Sequence, residues 1–164
     1  MTDEEVQQLA LLLRKLAAEG LGTPRTPKEV FIAFRGVVTQ PTVELLVSSG
    51  DDDDVLLTPR HDRDWSGHHL PGGFVGVGET LQAACERVAR AELGVGATFE
   101  RLVGHFTWTD HPYASPLSLL CRCRLAGAPS AGRFFTTLPD DLLRQHRTLL
   151  GSWSKRTPGL ASED

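Results

Sequence analysis

Residues 69–95 read HLPGGFVGVGETLQAACERVARAELGV, a glycine-rich turn running into a helical pattern that carries Glu79, Arg87 and Glu92. Glycines let such a turn bring its backbone close to a ligand, and its carbonyl oxygens can serve a hard cation. On a helix, positions 88, 91 and 92 share a face, and a full set of carboxylates there would hold several Mg²⁺ ions. This chain supplies Val88, Ala91 and Glu92, so that face offers one carboxylate. Mg²⁺ commonly binds through one or two carboxylates plus substrate phosphates, so a single Glu suffices only with help from elsewhere. Glu44 stands in the otherwise apolar run PTVELLVSS. An acidic residue in a buried strand is costly unless exposed, paired or metal-bound, so Glu44 reads either as an outward-facing strand residue or as a metal ligand.

Other candidates lie around this segment. Arg60, closing VLLTPR, occupies a strand end from which a guanidinium could meet a diphosphate in bidentate fashion, or it is a solvated loop charge. Trp65, Phe74, Trp108 and Tyr113 could stack on a base or sugar or could serve packing; Phe74, beside the double glycine, is the one expected to face a ligand. Glu86 is placed off the metal face.

Positioning these groups requires a folded scaffold. The 164 residues fit one domain with a substantial core, and 40% hydrophobic with 23% charged residues is an ordinary globular composition. The formal charge of −4 argues against a general nucleic-acid backbone binder, and the apolar runs are too short to predict a membrane span. MTDEEVQQLALLLRK lacks the pattern of a secretory signal, which predicts a cytoplasmic protein. Cys85, Cys121 and Cys123 have neither the number nor the spacing of a disulfide framework or zinc site and read as reduced core or strand residues.

Thr2 and Glu5 have capping-box spacing, and Val6, Leu9, Leu12, Leu13 and Leu16 recur at helical intervals, predicting an N-terminal helix over 1–21. GTPRTPK (22–28) reads as a connector, 29–150 as the core and 151–164 as a loose tail. Within the core, VFIAFRGVV, TVELLVSS, VLLT, FERLVGHFTWTD and PLSLLCRCRL read as strands. The run of Asp51 to Asp54 reads as a solvated hairpin tip, 58–69 as a polar loop, 80–93 as a helix, and LPDDLLRQHRTLL as a helix with Pro139 near its start. The mixture predicts an α/β fold, a mixed sheet flanked by helices.

From Gly73 the spacing is Gly73, five residues, Glu79, seven residues, Arg87, then VARAELGV. This resembles the Nudix box of the Nudix hydrolases, G-x5-E-x7-R-E-U-x-E-E-x-G-U, with Gly73, Glu79, Arg87, Glu92, Gly94 and Val95 in register and Val88 and Ala91 replacing two glutamates. The resemblance implies the Nudix fold, a mixed β-sheet sandwiched between α-helices, here with an extra N-terminal helix. It implies a hydrolase of nucleoside diphosphates linked to another moiety, using Mg²⁺ or Mn²⁺ on a small-molecule nucleotide substrate, often as a homodimer. It also implies that Arg87 pairs with Glu79 to brace the loop against the helix. The variant box is similar to that of GDP-mannose mannosyl hydrolases, which lack the same two glutamates and attack the sugar carbon. That likeness maps one Mg²⁺ onto Gly72, Glu92 and Glu44, and its base histidine onto His146, which follows Gln145, or onto His111. Phe74 stands where that branch has an arginine. Attack at phosphorus and a non-catalytic nucleotide-binding module are the competing readings.

Overall fold

The computed structural model describes residues 1–19, 27–50, 54–109 and 116–151. The capping box forms as its spacing predicts: Glu5 N donates to Thr2 Oγ1 at 3.2 Å while Thr2 N donates to Glu5 Oε2 at 2.6 Å. It opens α1 (Asp3–Glu19), none of whose residues is buried. Most of the connector expected at 22–28, with Asp51, Asp52, Asp53, His111, Tyr113 and all but the first residue of the expected tail, lies outside the described residues.

VFIAFRGVV does not form the expected strand. Lys28–Arg35 is a helix, α2, with Pro27 (φ −55°) just before its first turn and Gly36 at its end. Strand preference measures fit to a pleated, half-buried surface more than backbone habit, so tertiary context overrides it.

A four-stranded mixed sheet follows, in the order β4 (Gly72–Phe74), β1 (Pro41–Leu46), β6 (Leu117–Leu125), β5 (Ala97–Thr107), with β1 parallel to β6 and the other pairs antiparallel. A second, antiparallel sheet has the order β3 (Ser66–His69), β2 (Val55–His61), β7 (Arg133–Phe135). The expected polar loop at 58–69 is therefore mostly a hairpin. Its turn is closed by Asp62, whose Oδ1 accepts from Asp64 N and Trp65 N, each at 2.9 Å. Backbone pairing carries these strands, which is why polar side chains did not betray them.

Strand alternation divides the core. Val43 and Leu45 of β1 and Val47 just past it, with Cys121 and Cys123 of β6, pack under Ala84, Cys85, Val88, Ala89 and Leu93. Leu46 and Leu120 point the other way, toward Val55, Leu57 and Leu70 and to Leu149 and Leu150 of α4 (Arg144–Gly151). The three cysteines are free and buried.

The glycine turn leads into α3 (Leu81–Val88), where Thr80 Oγ1 accepts from Ala83 N at 3.2 Å. The expected α-helix does not run through to Leu93: Ala89–Leu93 is a π-helical turn that ends at Gly94 (φ 68°). A Cβ on Gly94 would sit 2.3 Å from Ser130 Oγ, so both the left-handed backbone and the close approach require glycine there. The last helix starts at Arg144, later than expected; His68 N donates to Asp141 O, and Leu143 N donates to His68 O, tying the preceding segment to β3.

Candidate active site

Glu44 is set by strand parity. Thr42, Glu44 and Leu46 share one face of β1, opposite Val43 and Leu45, and Glu44 is directly cross-strand from Gly72. Its exposure is 6%, so it is not the outward-facing residue that was one reading of the sequence. A Cβ on Gly72 would lie 2.0 Å from Glu44 Oε2, and only glycine leaves room for the carboxylate. Oε1 accepts from Thr42 Oγ1 and Ser118 Oγ, each at 3.1 Å. Burial pushes the Glu44 pKa up to about 8, the two hydroxyls pull it down, and the nearby Glu92 raises it further.

Glu92 approaches the same glycine from the π-helical turn, its Oε1 accepting from Gly72 N at 3.4 Å. Burial raises its pKa to about 7, against the lowering influence of the Gly72 N–H and of Arg60. The π turn alters the expected helical face. Val88 is buried, its Cγ2 lying 3.1 Å from where a Cβ on Gly73 would stand, a tight approach; Ala91 is exposed. π turns of this kind recur at functional sites.

Two desolvated carboxylates therefore meet at one glycine. Among the described residues no cluster of three His, Cys, Asp or Glu side chains is arranged to hold a metal, so side chains alone do not complete a cation shell. The donor set nevertheless fits Mg²⁺, a hard cation that takes few carboxylates and completes its six oxygens from main chain, water and phosphate.

A cleft of about 750 Å³ opens over this pair, lined by Glu44, Glu92, Gly72, Arg60, Phe74 and His146 of the sequence-predicted residues. Arg60 Nε donates to Asp62 Oδ2 at 2.6 Å, and its guanidinium carbon lies 6.0 Å from the Trp65 ring centroid. Phe74 is half-buried. Glu79 and Arg87 do not line the cleft. They form a two-pronged ion pair, Arg87 Nε to Glu79 Oε1 at 2.8 Å and Nη2 to Oε2 at 2.7 Å, while Arg87 Nη2 also donates to Phe74 O at 2.7 Å and Gly76 N to Glu79 Oε2 at 2.8 Å. The pair ties the glycine turn to α3, which places its action on the loop's shape.

His146 is neither on the helix surface nor a cap. It is 3% exposed, and its Nδ1 accepts from Leu70 N at 3.0 Å. In the neutral ring that contact puts the proton on Nε2, making it a donor. Burial, with His69 and Arg60 nearby, drives its pKa down to about 3. His69, whose Nε2 is 3.1 Å from Thr58 Oγ1, is lowered to about 4 for the same leading reason.

Sequence reasoning missed His69, Lys28, Thr42 and Ser118 as cleft residues and left Trp108 between packing and stacking. Thr42 and Ser118 had a usable signal, being polar positions in strands that read as apolar. Lys28 and His69 had none, since their places depend on α2 and on the β2–β3 hairpin.

The NUDIX domain family model matches residues 38–138. No curated protein matches the chain. Solved structures with the same fold include a MutT NUDIX hydrolase from Burkholderia pseudomallei, 21% identical, with 70% of this chain and 97% of that one covered and a TM-score of 0.60. A NUDIX hydrolase from Nitrosomonas europaea is 21% identical over 72% of each chain, with a TM-score of 0.58. An ADP-ribose pyrophosphatase from Streptococcus suis is 20% identical, with 76% of this chain and 97% of that one covered and a TM-score of 0.51.

Proposed function

This chain belongs to the Nudix family, and from that premise we propose that it is a Mg²⁺-dependent hydrolase of a nucleoside diphosphate linked to a second moiety, with a nucleotide sugar such as GDP-mannose the favoured substrate. The observation that carries the proposal is the meeting of Glu44 and Glu92 at Gly72, in a cleft that also holds Arg60 and three aromatic rings. Two carboxylates desolvated at one backbone position are each pushed toward protonation, and a divalent cation there would relieve both.

Glu92, Glu44 and the Gly72 backbone would hold Mg²⁺, or Mn²⁺ in its place, and the cation when bound would neutralise charge on the diphosphate leaving group. Arg60, which lines the cleft, would contact the diphosphate, and Phe74, Trp65 and Trp108, which also line it, would flank the base or sugar. His146, with Nδ1 engaged by Leu70 N–H, offers the cleft an Nε2–H and so serves as a hydrogen-bond donor to substrate. That leaves His111 as the proposed base that removes a proton from water. The scarcity of carboxylates favours attack at the sugar carbon, where the diphosphate departs as a unit, over attack at phosphorus, where two or three ions share the work in most of the family.

The test is turnover of nucleotide sugars and dinucleotides in ¹⁸O water with Mg²⁺. Label in the free sugar supports attack at carbon, and label in a phosphate replaces that reading with ordinary pyrophosphohydrolysis. No turnover across the panel, with nucleotide binding retained, would make the chain a nucleotide-binding module. In an active enzyme, Glu92→Gln should remove nearly all turnover.

A further inference from the structure

The carboxylate of Glu44 is not simply buried; it is held by a chain of donors reaching back to an indole. Trp108 Nε1 donates to Ser118 Oγ at 2.6 Å, Ser118 Oγ lies 2.8 Å from Thr42 Oγ1, and both hydroxyls contact Glu44 Oε1 at 3.1 Å. The indole nitrogen can only donate, so it occupies a lone pair on Ser118 and leaves the Ser118 proton to be given away. The acceptors within reach are Thr42 Oγ1 and Glu44 Oε1, and either route ends on Glu44 because Thr42 makes the second contact to the same oxygen. Oε1 is thereby committed to protein donors. Oε2, the oxygen for which Gly72 leaves space, is the one directed into the site.

The parts come from two strands and the end of a third. Ser118 is cross-strand from Thr42 on β6, Glu44 is two residues along β1 on the same face, and Trp108 follows the last residue of β5. Ser118 is fully buried, and Thr42 and Trp108 are 7% exposed, so these bonds are largely shielded from solvent.

The geometry points to Ser118, oriented by Trp108, as the positioning residue that aims Glu44 Oε2 at the cation, and to the Trp108 indole as a built-in reporter of cation binding. The inference rests on the cation site proposed above. An outer hydrogen-bond partner of this kind typically contributes about 10–100-fold to metal affinity. Charge drawn from Oε2 by a cation changes how strongly Oε1 accepts, and the change reaches Trp108 Nε1 through one hydroxyl.

The test titrates the full chain with Mn²⁺ alone, followed by electron paramagnetic resonance, and follows the assigned Trp108 indole N–H resonance during a Mg²⁺ titration. Ser118→Ala should weaken Mn²⁺ binding about 10–100-fold, with Ser118→Thr restoring most of it and Trp108→Phe weakening it less than Ser118→Ala. In the wild type the Trp108 resonance should move with Mg²⁺; in Ser118→Ala it should stay still even at saturation, which loss of packing alone would not produce. If Glu92→Gln abolishes Mn²⁺ binding while Ser118→Ala leaves it unchanged, the cation site stands and the relay falls. A Trp108 resonance that ignores Mg²⁺ in the wild type overturns the relay without any variant. A wild-type chain that binds no Mn²⁺ removes the site and the relay together.

Discussion

Stability between pH 5 and 6 exposes the opposed burial of two carboxylates and two histidines. Glu44 (about 8) and Glu92 (about 7) hold protons in the folded chain that they have mostly lost in the unfolded one, where a carboxyl titrates near 4.5. Their raised values contribute stability that is full below that point and lost as pH rises through the folded values. His69 (about 4) and His146 (about 3) behave oppositely, since the unfolded imidazole titrates near 6.5 and takes up a proton the folded one refuses. Their contribution is full above 6.5 and lost as pH falls toward the folded values. At pH 5.5 these four groups carry about two protons in each state, so their combined slope is near zero in metal-free protein. His146→Asn keeps an acceptor for Leu70 N–H and removes one titration. Its unfolding free energy should then fall, relative to wild type, by about 1.2 kcal/mol per pH unit as pH rises from 5 to 6. Glu92→Gln should tilt by about the same amount in the opposite sense. Urea unfolding in EDTA at pH 5.0, 5.5 and 6.0 measures both slopes, and slowly titrating surface groups cancel in the difference. Saturating Mg²⁺ should tilt the wild type toward the Glu92→Gln slope. Parallel profiles, or two variants tilting the same way, would refute the burial argument.

Gly72→Ala places a methyl 2.0 Å from Glu44 Oε2 and 3.0 Å from Val43 O. It should cost about 1–3 kcal/mol in urea unfolding and abolish Mn²⁺ binding, because the intruding group occupies the carboxylate's place. Arg87→Lys keeps the charge and loses the two-pronged contact with Glu79 and the bond to Phe74 O; with Arg87 half exposed, the loss should be about 1 kcal/mol in stability, accompanied by reduced turnover as the loop loosens. Thr80→Ala removes the cap on α3 and should lower the unfolding free energy by about 1 kcal/mol, with Thr80→Ser recovering most of it.

Much of the scaffold was readable because its signals are local. The Thr2–Glu5 box, the strands around Val43 and Cys121, and the helix after Thr80 each carry their pattern within a few residues. Reading failed where the decision was distant. VFIAFRGVV has strand-forming residues yet runs from α2 into its C-terminal turn, and SGHH pairs with β2 across a turn that Asp62 closes. The box spacing brought Gly73, Glu79, Arg87 and Glu92 forward as one group, but the cleft separates them, with Glu92 inside it and the Glu79–Arg87 pair outside.

The sequence by itself determined the family, the glycine turn, the lone helix carboxylate and the oddity of Glu44 in an apolar run. Only the tertiary structure decided what Glu44 does. Its register against Gly72, the approach of Glu92 through a π turn, the donor from Ser118, and the tautomer of His146 set by Leu70 N–H are all contacts between segments far apart in the chain. Local patterns specify which face of an element is apolar. Desolvation and hydrogen bonding depend on what packs against that face, and those set the charge and aim of a buried group.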